Sequence, residues 1–401
     1  MEELDYMSIK NEMDALLQKR RFAGYGISIR QNGREIVRVF GGERDIAQSL
    51  PMAGDTIVRL ASMTKPVIAV AAMMLSERGL LSIDDQIDRY LPEFSHMEAA
   101  DKYLSFMDVY EPDPDNPLVP KFRADALMNI HVEPARKPIT IEDILRHRSG
   151  MGQGPFSASV LEKSDRPGMT LEERVKLFST LPLDFQPGAF TGYSPAVAFD
   201  VLGRIIEIVS GEDLNSFIRK NICDPLEITD LGFDLTEEQL QRLSRLYESG
   251  SDGLTDATDT DHGWQLVDPL PTGYYSGSAG LLGSLDAYDR FVQMLAGKGI
   301  YGSKRILKES TVQAMTSEAG GPDMFPGLFW GLGMSVRKDP QLASSPLSAG
   351  SYGWSGAYGT HFFIDPVKAL TGVMVMQVSN IGGAGSPVIP VFERCAEEEI
   401  G

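Results

Sequence analysis

Ser62-Met63-Thr64-Lys65 is the stretch whose residue types and spacing most directly suggest chemistry. A strand-like segment, Thr56-Ile57-Val58-Arg59, leads into it, and an apolar run follows. At a helix start, a Ser and a Lys three positions apart lie on one face within mutual reach. A serine hydroxyl is a poor nucleophile at its ordinary pKa and needs an adjacent base. A lysine can be that base when burial or a positive neighbour lowers its pKa. The helix N-terminus would add N–H groups and a positive dipole end for a developing oxyanion. The same pattern recurs in Ser335-Val336-Arg337-Lys338, where the local reading is strand and the two side chains would not share a helical face. Taken alone, the pattern fits equally well a serine that caps a helix with a solvated lysine one turn later.

Two further segments carry candidates. In Gln186-Pro187-Gly188-Ala189-Phe190-Thr191-Gly192-Tyr193-Ser194-Pro195 a Pro-Gly turn delivers a tyrosine just before a helix. In Gly353-Trp354-Ser355-Gly356-Ala357-Tyr358-Gly359-Thr360-His361 the glycines at the head of a strand suggest close backbone approach to a neighbour. Trp354 and Tyr358 share that turn and are the aromatics most suited to line a pocket; Trp330, Tyr352, Tyr274 and Tyr275 read as core. The five histidines, His96, His131, His147, His262 and His361, show neither metal-ligand spacing nor a triad. His361 reads as a strand histidine facing a core partner or solvent more readily than as a residue of a cleft rim. Gly-x-Ser-x-Gly is absent, which excludes a standard nucleophile elbow. The acidic stretches Glu111-Pro112-Asp113-Pro114-Asp115 and Asp252 to Asp261 lack the spacing of a calcium loop.

These residues need elements to hold them. Ile9, Met13, Leu16 and Leu17 recur at helical spacing within 6–22. Two strands, 26–30 and 35–40, flank Asn32-Gly33, a strong hairpin signal. The run 62–79 reads as a long buried helix stopped by Gly79. Residues 95–137, polar and rich in Pro and Asp, read as a surface insertion. Residues 139–147 open with Thr140 as N-cap and an acidic first turn. Helices are expected over 195–210, 213–221, 234–247, 286–297 and 387–399, and strands over 329–336, 360–364 and 372–378.

The ordered set of segments resembles the serine β-lactamase and penicillin-binding-protein superfamily. It is similar in particular to the class C-like branch, which includes family VIII carboxylesterases. The resemblance spans nearly the whole chain. It is carried by Arg59 to Lys65, Ile139 to Met151 with His147-Arg148-Ser149-Gly150, Pro187 to Ser194, Ser278-Ala279-Gly280-Leu281-Leu282 and the Trp354 turn. It implies an α/β (α+β), β-lactamase/transpeptidase-like fold: an antiparallel sheet flanked by helices, plus an inserted mainly helical region. It implies Ser62 as the acylated nucleophile, with Lys65 and Tyr193 as its proton-handling partners in an order the sequence leaves open. The oxyanion hole would be the N–H groups of Ser62 and Ala357, and Trp354, Ser355, Gly356 and Tyr358 would contact substrate. His147 is expected to be structural.

Two departures from the lactamase pattern bear on substrate. The Lys-Thr-Gly element is here Trp354-Ser355-Gly356, so the lysine that meets a β-lactam carboxylate is an indole with a single N–H donor. The Tyr-x-Asn motif is Tyr193-Ser194-Pro195, and proline supplies no side-chain amide. Each loss removes an interaction worth roughly 1–3 kcal/mol, together about 10²–10⁴ in kcat/KM. The resemblance therefore points to a carboxylesterase acting on small uncharged esters, with at most weak β-lactam hydrolysis. A β-lactamase, a D-stereospecific peptidase or an acyltransferase of the same superfamily stays open, as does a catalytically silent binding homologue.

Composition sets the outer limits. The chain has 401 residues, 37 Lys plus Arg against 56 Asp plus Glu, and a formal charge of −19. That balance argues against nucleic acid and anionic membrane as partners. With 42% hydrophobic residues the chain can bury a large core. Residues 1–60 and 270–401 are expected to form the sheet region and 61–269 the helical region of one composite catalytic unit. Two distant cysteines, Cys223 and Cys395, suggest no disulfide framework. The acidic N-terminus does not read as a signal peptide, and no apolar run reaches the ~18 residues that span a bilayer. The expectation is a cytoplasmic enzyme with a small-molecule substrate and neither cofactor nor metal; the oligomeric state is not legible.

Overall fold

Asn32 and Gly33 both take positive φ, 52° and 76°, the turn in which right-twisted strands close a hairpin. The hairpin joins β1 (Gly24–Gln31) to β2 (Arg34–Asp45). The computed structural model that shows this describes residues 7–19, 21–103, 110–111, 121–122, 130–157, 159, 168–259 and 273–399. His262, most of the acidic stretch from Glu111 to Asp115, the end of the stretch at Asp261 and the expected boundary near 270 lie outside these residues.

An eight-stranded antiparallel sheet takes strands from both ends of the chain. In chain order the other strands used here are β3 (Leu50–Pro51), β4 (Ile57–Arg59), β5 (Leu231–Gly232), β6 (Leu282–Ser284), β7 (Leu328–Trp330), β8 (Ser335–Arg337), β9 (Tyr352–Gly356), β10 (Thr360–Asp365) and β11 (Leu370–Met376). The main sheet runs β7-β8-β9-β10-β11-β1-β2-β3. The last strand pairs with the first, from Tyr25 opposite Met376 to Gln31 opposite Leu370. A smaller sheet, β4-β6-β5, sits where the chain enters the site.

Alternation of side chains separates two cores. Phe362, Ile364, Val373 and Val375 face the large core around α2 (Thr64–Glu77). Phe363, Met374, Met376 and Ile27 face the opposite side, against Ile9 of α1 (Met7–Gln18) and Phe392 of the C-terminal helix Val388–Glu398. Twelve of the fourteen residues of α2 are buried, so the helix is held by packing on all sides.

Several expected elements are corrected. The stretch 234–247 is helical only over Glu237–Leu240, because the chain leaves the helix to pair with β4: Ile57 N–H donates to Arg242 O and Ser244 N–H to Ile57 O. Tyr247–Gly250 is a strand, paired with Gly253–Asp256. The single strand expected over 329–336 is a hairpin, β7 and β8, with the turn at Gly331 to Met334. Gly333 there has φ +91°, and a Cβ on it would lie 2.2 Å from the Ala69 Cβ, so the turn seats against α2. Within the expected insertion, Glu98–Ala100 pairs with Val132–Pro134, and Ala99 and Ala100 are buried. The helix over 195–210 begins later, as Ala198–Ser210.

The next helix, α3 (Ile141–Leu145), is built as expected. The Thr140 hydroxyl accepts from Asp143 N–H and the Asp143 carboxylate accepts from Thr140 N–H, a reciprocal cap. Replacing Thr140 by Ala should cost about 1 kcal/mol of stability, and by Ser much less, in urea titration.

Candidate active site

Ser62 stands at the centre of a tight turn, Ala61–Met63, that carries the chain from β4 into α2. Ala61 takes φ +48°, a left-handed conformation that a residue with a Cβ keeps only where its surroundings impose it. Those surroundings are hydrogen bonds on both sides of the turn. Thr360 Oγ1 donates to Leu60 O at 3.0 Å, Tyr288 OH donates to Met63 O at 2.8 Å, and Leu281 N–H donates to Thr64 Oγ1 at 3.0 Å. Gly356 runs so close behind that a Cβ on it would lie 2.2 Å from Leu60 O.

Lys65, the second residue of α2 and three positions after Ser62, is fully buried. Its Nζ donates to the carbonyls of Pro195 and Ser278, each at 2.9 Å, and lies 3.3 Å from Ser62 Oγ. Burial lowers its pKa from 10.5 to about 7, while the charge of Asp200 pulls the other way. Nζ also sits 5.0 Å from the centre of the Tyr193 ring.

Tyr193 reaches Ser62 from the turn before α4 (Ala198–Ser210). Burial raises its pKa to about 12, against the opposing hydrogen bonds with Ser62 and Trp354. Trp354 Nε1–H donates to the Tyr193 hydroxyl at 3.1 Å. Trp354 stands edge-on to Trp330, with ring centres 4.5 Å apart, and Trp330 Nε1–H donates to Leu145 O. An indole therefore approaches the phenol where the lactamase pattern has a lysine.

The turn after β9 completes the arrangement. Ala357 follows Gly356, and its N–H makes no hydrogen bond among the described residues. Trp354, Ser355, Ala357 and Tyr358 join Ser62 and Tyr193 around a cavity of about 300 Å³. None of the described residues lining it carries a formal charge. Gly356, expected at the substrate, lies against Leu60 O and Thr360 Oγ1. The Ser355 hydroxyl is bonded to His361. His361 is buried and forms no part of the rim. A larger cavity of about 1030 Å³ lies near the first hairpin, where Arg30 pairs with Asp289, Arg38 with Asp286 and Lys298 with Glu309.

Several contributors had no signal in the sequence reading. Gln153, Phe325, Gly383 and Ala384 line the cavity from loops distant in the chain. Asp200, an acid on the buried face of an otherwise largely apolar helix, is the other omission, and its place between Phe199 and Val201 was the available clue. Its carboxylate accepts from Ser276 Oγ at 2.8 Å, Ser278 N–H at 2.9 Å and Tyr274 OH at 2.5 Å. It thereby shapes the loop whose Ser278 carbonyl receives Lys65. His147 is structural in just this sense. Its Nδ1 accepts from Ser194 N–H at 3.1 Å, its ring packs between Tyr193 and Trp330, and burial, followed by the charge of Lys65, holds its pKa well below the ordinary value.

Asp200→Ala should destabilise the fold by about 3 kcal/mol, because three buried donors lose their acceptor together. Asp200→Asn should cost less, and chemical denaturation would separate the two.

Against this geometry, known proteins are informative. Residues 9–385 match the family model described as Beta-lactamase. Protein Rv1367c of Mycobacterium tuberculosis is 31% identical over 355 residues, covering 84% of this chain and 81% of that protein. Esterase EstB of Burkholderia gladioli is 28% identical over 411 residues, covering 95% and 94%. Among solved structures, EstCE1, described as a hydrolase with promiscuous acyltransferase activity, superposes with a TM-score of 0.78 at 26% identity over 97% of both chains. Matched over most of its length and carrying the ordered segments in one site, the chain belongs to the Beta-lactamase family.

Proposed function

We propose that this protein is a carboxylesterase that works through an acyl-enzyme on Ser62 and takes small uncharged esters. The observation that carries the reading is a buried Lys65, its pKa lowered to about 7, 3.3 Å from the Ser62 hydroxyl at a charge-free cavity. The esterase named among its relatives supports it. A catalytically silent homologue would have no use for a lysine held against its own desolvation.

The chemistry follows from the proton affinities. Near neutral pH a large fraction of Lys65 is unprotonated, so Nζ accepts the Ser62 proton as Oγ forms a bond to the ester carbonyl carbon. The carbonyl oxygen gains negative charge facing the N–H groups of Ser62 and Ala357. Tyr193, protonated at any physiological pH, gives its proton to the departing alkoxide and regains one from the Lys65 ammonium. Water then attacks the acyl group and the same protons return in reverse. Trp354, its one N–H given to the Tyr193 hydroxyl, presents an apolar face where a carboxylate-bearing substrate would need a cation.

Ser62→Ala should lower kcat for p-nitrophenyl butyrate by about 10⁴-fold or more, with an unchanged unfolding transition. Nitrocefin should be turned over at least about 10²-fold less efficiently than that ester. Adding an alcohol to the assay tests transfer against hydrolysis at the same serine.

The pH profile gives an independent test. Lys65 acts only when unprotonated, so kcat/KM should rise with pH through about 7 and stay level above it. Asp200 favours the ammonium, so Asp200→Asn should move this limb to lower pH; movement to higher pH would contradict the assignment. Phe325, 43% exposed, caps the cavity from a tight turn. Phe325→Ala should raise the octanoate-to-acetate ratio of kcat/KM by about tenfold, the scale of a few methylenes gaining room.

A further inference from the structure

Behind β9, on the face of the sheet away from Lys65, the structure holds a second serine–histidine–acid array. Ser355 lies opposite His361 in the β9–β10 register, and Ser355 Oγ is 2.8 Å from His361 Nδ1. His361 Nε2 is 3.3 Å from Glu393 Oε1 on the C-terminal helix. Glu393 also accepts from Ser345 Oγ at 2.9 Å and pairs with Arg337 of β8. Ser355, His361 and Glu393 are all at least nine-tenths buried.

The array is not a second nucleophilic centre. Its serine bonds Nδ1 and its acid faces Nε2, and the imidazole is buried between the sheet and the C-terminal helix, against Phe363 and Phe392. Ser355 Oγ and His361 Nδ1 share one hydrogen bond whose direction follows the ring tautomer: with the proton on Nε2, toward Glu393, Nδ1 accepts and the Ser355 hydroxyl donates. Burial lowers the His361 pKa below 6.5, with Glu393 opposing and Arg337 assisting, so the ring stays neutral near pH 7.

The consequence lies two residues further along. Ala357 begins a turn flanked by Gly356 and Gly359, in which Tyr358 packs against Ala61 and Leu246 and the Gly356 and Tyr358 carbonyls accept from Gly383 and Val378 N–H. Beside this turn the strand end is also tied from both faces. In front, Thr360 Oγ1 binds Leu60 O beside Ser62. Behind, Ser355 binds His361, which is braced through Glu393 to the last helix. We propose that His361 is a positioning residue of the esterase site: by fixing the Ser355 hydroxyl it holds the end of β9, and with it the Ala357 N–H, where the substrate carbonyl oxygen gains charge. The proposal rests on the esterase reading. It also places the C-terminal helix, through Glu393, in the machinery that aims the oxyanion donor.

A displaced oxyanion donor weakens an interaction made in the transition state, so kcat falls while KM does not. His361→Leu should lower kcat for p-nitrophenyl butyrate about tenfold to 10²-fold, with KM within about threefold of the parent. His361→Asn, whose amide can stand where Nδ1 stood, should recover most of the loss. Ser355→Ala keeps the ring and should lower kcat about tenfold, which covers the case of a His361→Leu chain that fails to fold. Because both act through one bond, Ser355→Ala combined with His361→Leu should be no worse than His361→Leu alone. Wild-type kcat in folded His361→Leu and in Ser355→Ala would overturn the proposal, as would losses that multiply in the double variant. A parent enzyme inactive on every ester would instead overturn the esterase reading, so the two failures are distinguishable.

Discussion

The structure depends on keeping an amine without water next to a serine. Desolvation opposes the ammonium form of Lys65, and among the described residues two carbonyls, the Ser62 hydroxyl and a more distant Asp200 stand in compensation. Burial outweighs them, and the lysine pKa falls to about 7. Each carbonyl comes from a different part of the chain: Pro195 from the turn before α4, Ser278 from the loop shaped by Asp200. The turn before α4 and the loop at Ser278 must therefore both close on α2 for the lysine to be held. Asp200 is placed one layer back, where it can shape the loop and temper the shift without forming an ion pair that would restore the ordinary lysine pKa.

The second electrostatic choice is at Trp354. A cation there would stabilise a phenolate at Tyr193 and attract anionic ligands. The indole instead donates one neutral hydrogen bond to the phenol oxygen and fills the volume with apolar surface. Burial then keeps the Tyr193 proton in place. The two partners of Ser62 are driven apart in proton affinity, the lysine downward and the tyrosine upward, and this separates their roles in a way that residue identity alone does not. A cavity lined by uncharged residues is consistent with the same choice.

Much of this was legible in the chain because it is local. The spacing of Ser62 and Lys65, the Asn32-Gly33 hairpin, the Thr140 cap and the glycine-dense turn at Trp354 each follow from a few adjacent residues, and each appears in the structure. What escaped is non-local. The helix expected over 234–247 yields after Leu240 because β4 offers a pairing partner some 180 residues away in sequence. The strand expected over 329–336 folds back at Gly331 and Gly333 because the Met315 carbonyl at the first and Ala69 of α2 at the second leave no room for a side chain. Gln153, Phe325 and Ala384 enter the cavity from loops whose local patterns announce nothing, and Asp200 matters only because Ser276, Ser278 and Tyr274 arrive around it. The order in which Lys65 and Tyr193 handle protons is likewise a property of burial, visible only once the layers have closed.

At the Ala357 turn, the missing side chain of Gly356 bears on how the end of β9 is held. Gly356 must lack a side chain so that β9 can pass within van der Waals contact of Leu60, and that same absence removes the usual means of anchoring a strand end by packing. Hydrogen bonds from the neighbouring residues take over, from Thr360 on the front face and Ser355 on the back. The back anchor is buried and polar, hence stabilising only while each group keeps its partner. Arg337, Glu393 and His361 lie along one chain of contacts, from β8 through the C-terminal helix to β10. His361 sits on β10, β10 pairs with β11 and β11 with β1, so the N-terminal hairpin backs the array through a single intervening strand.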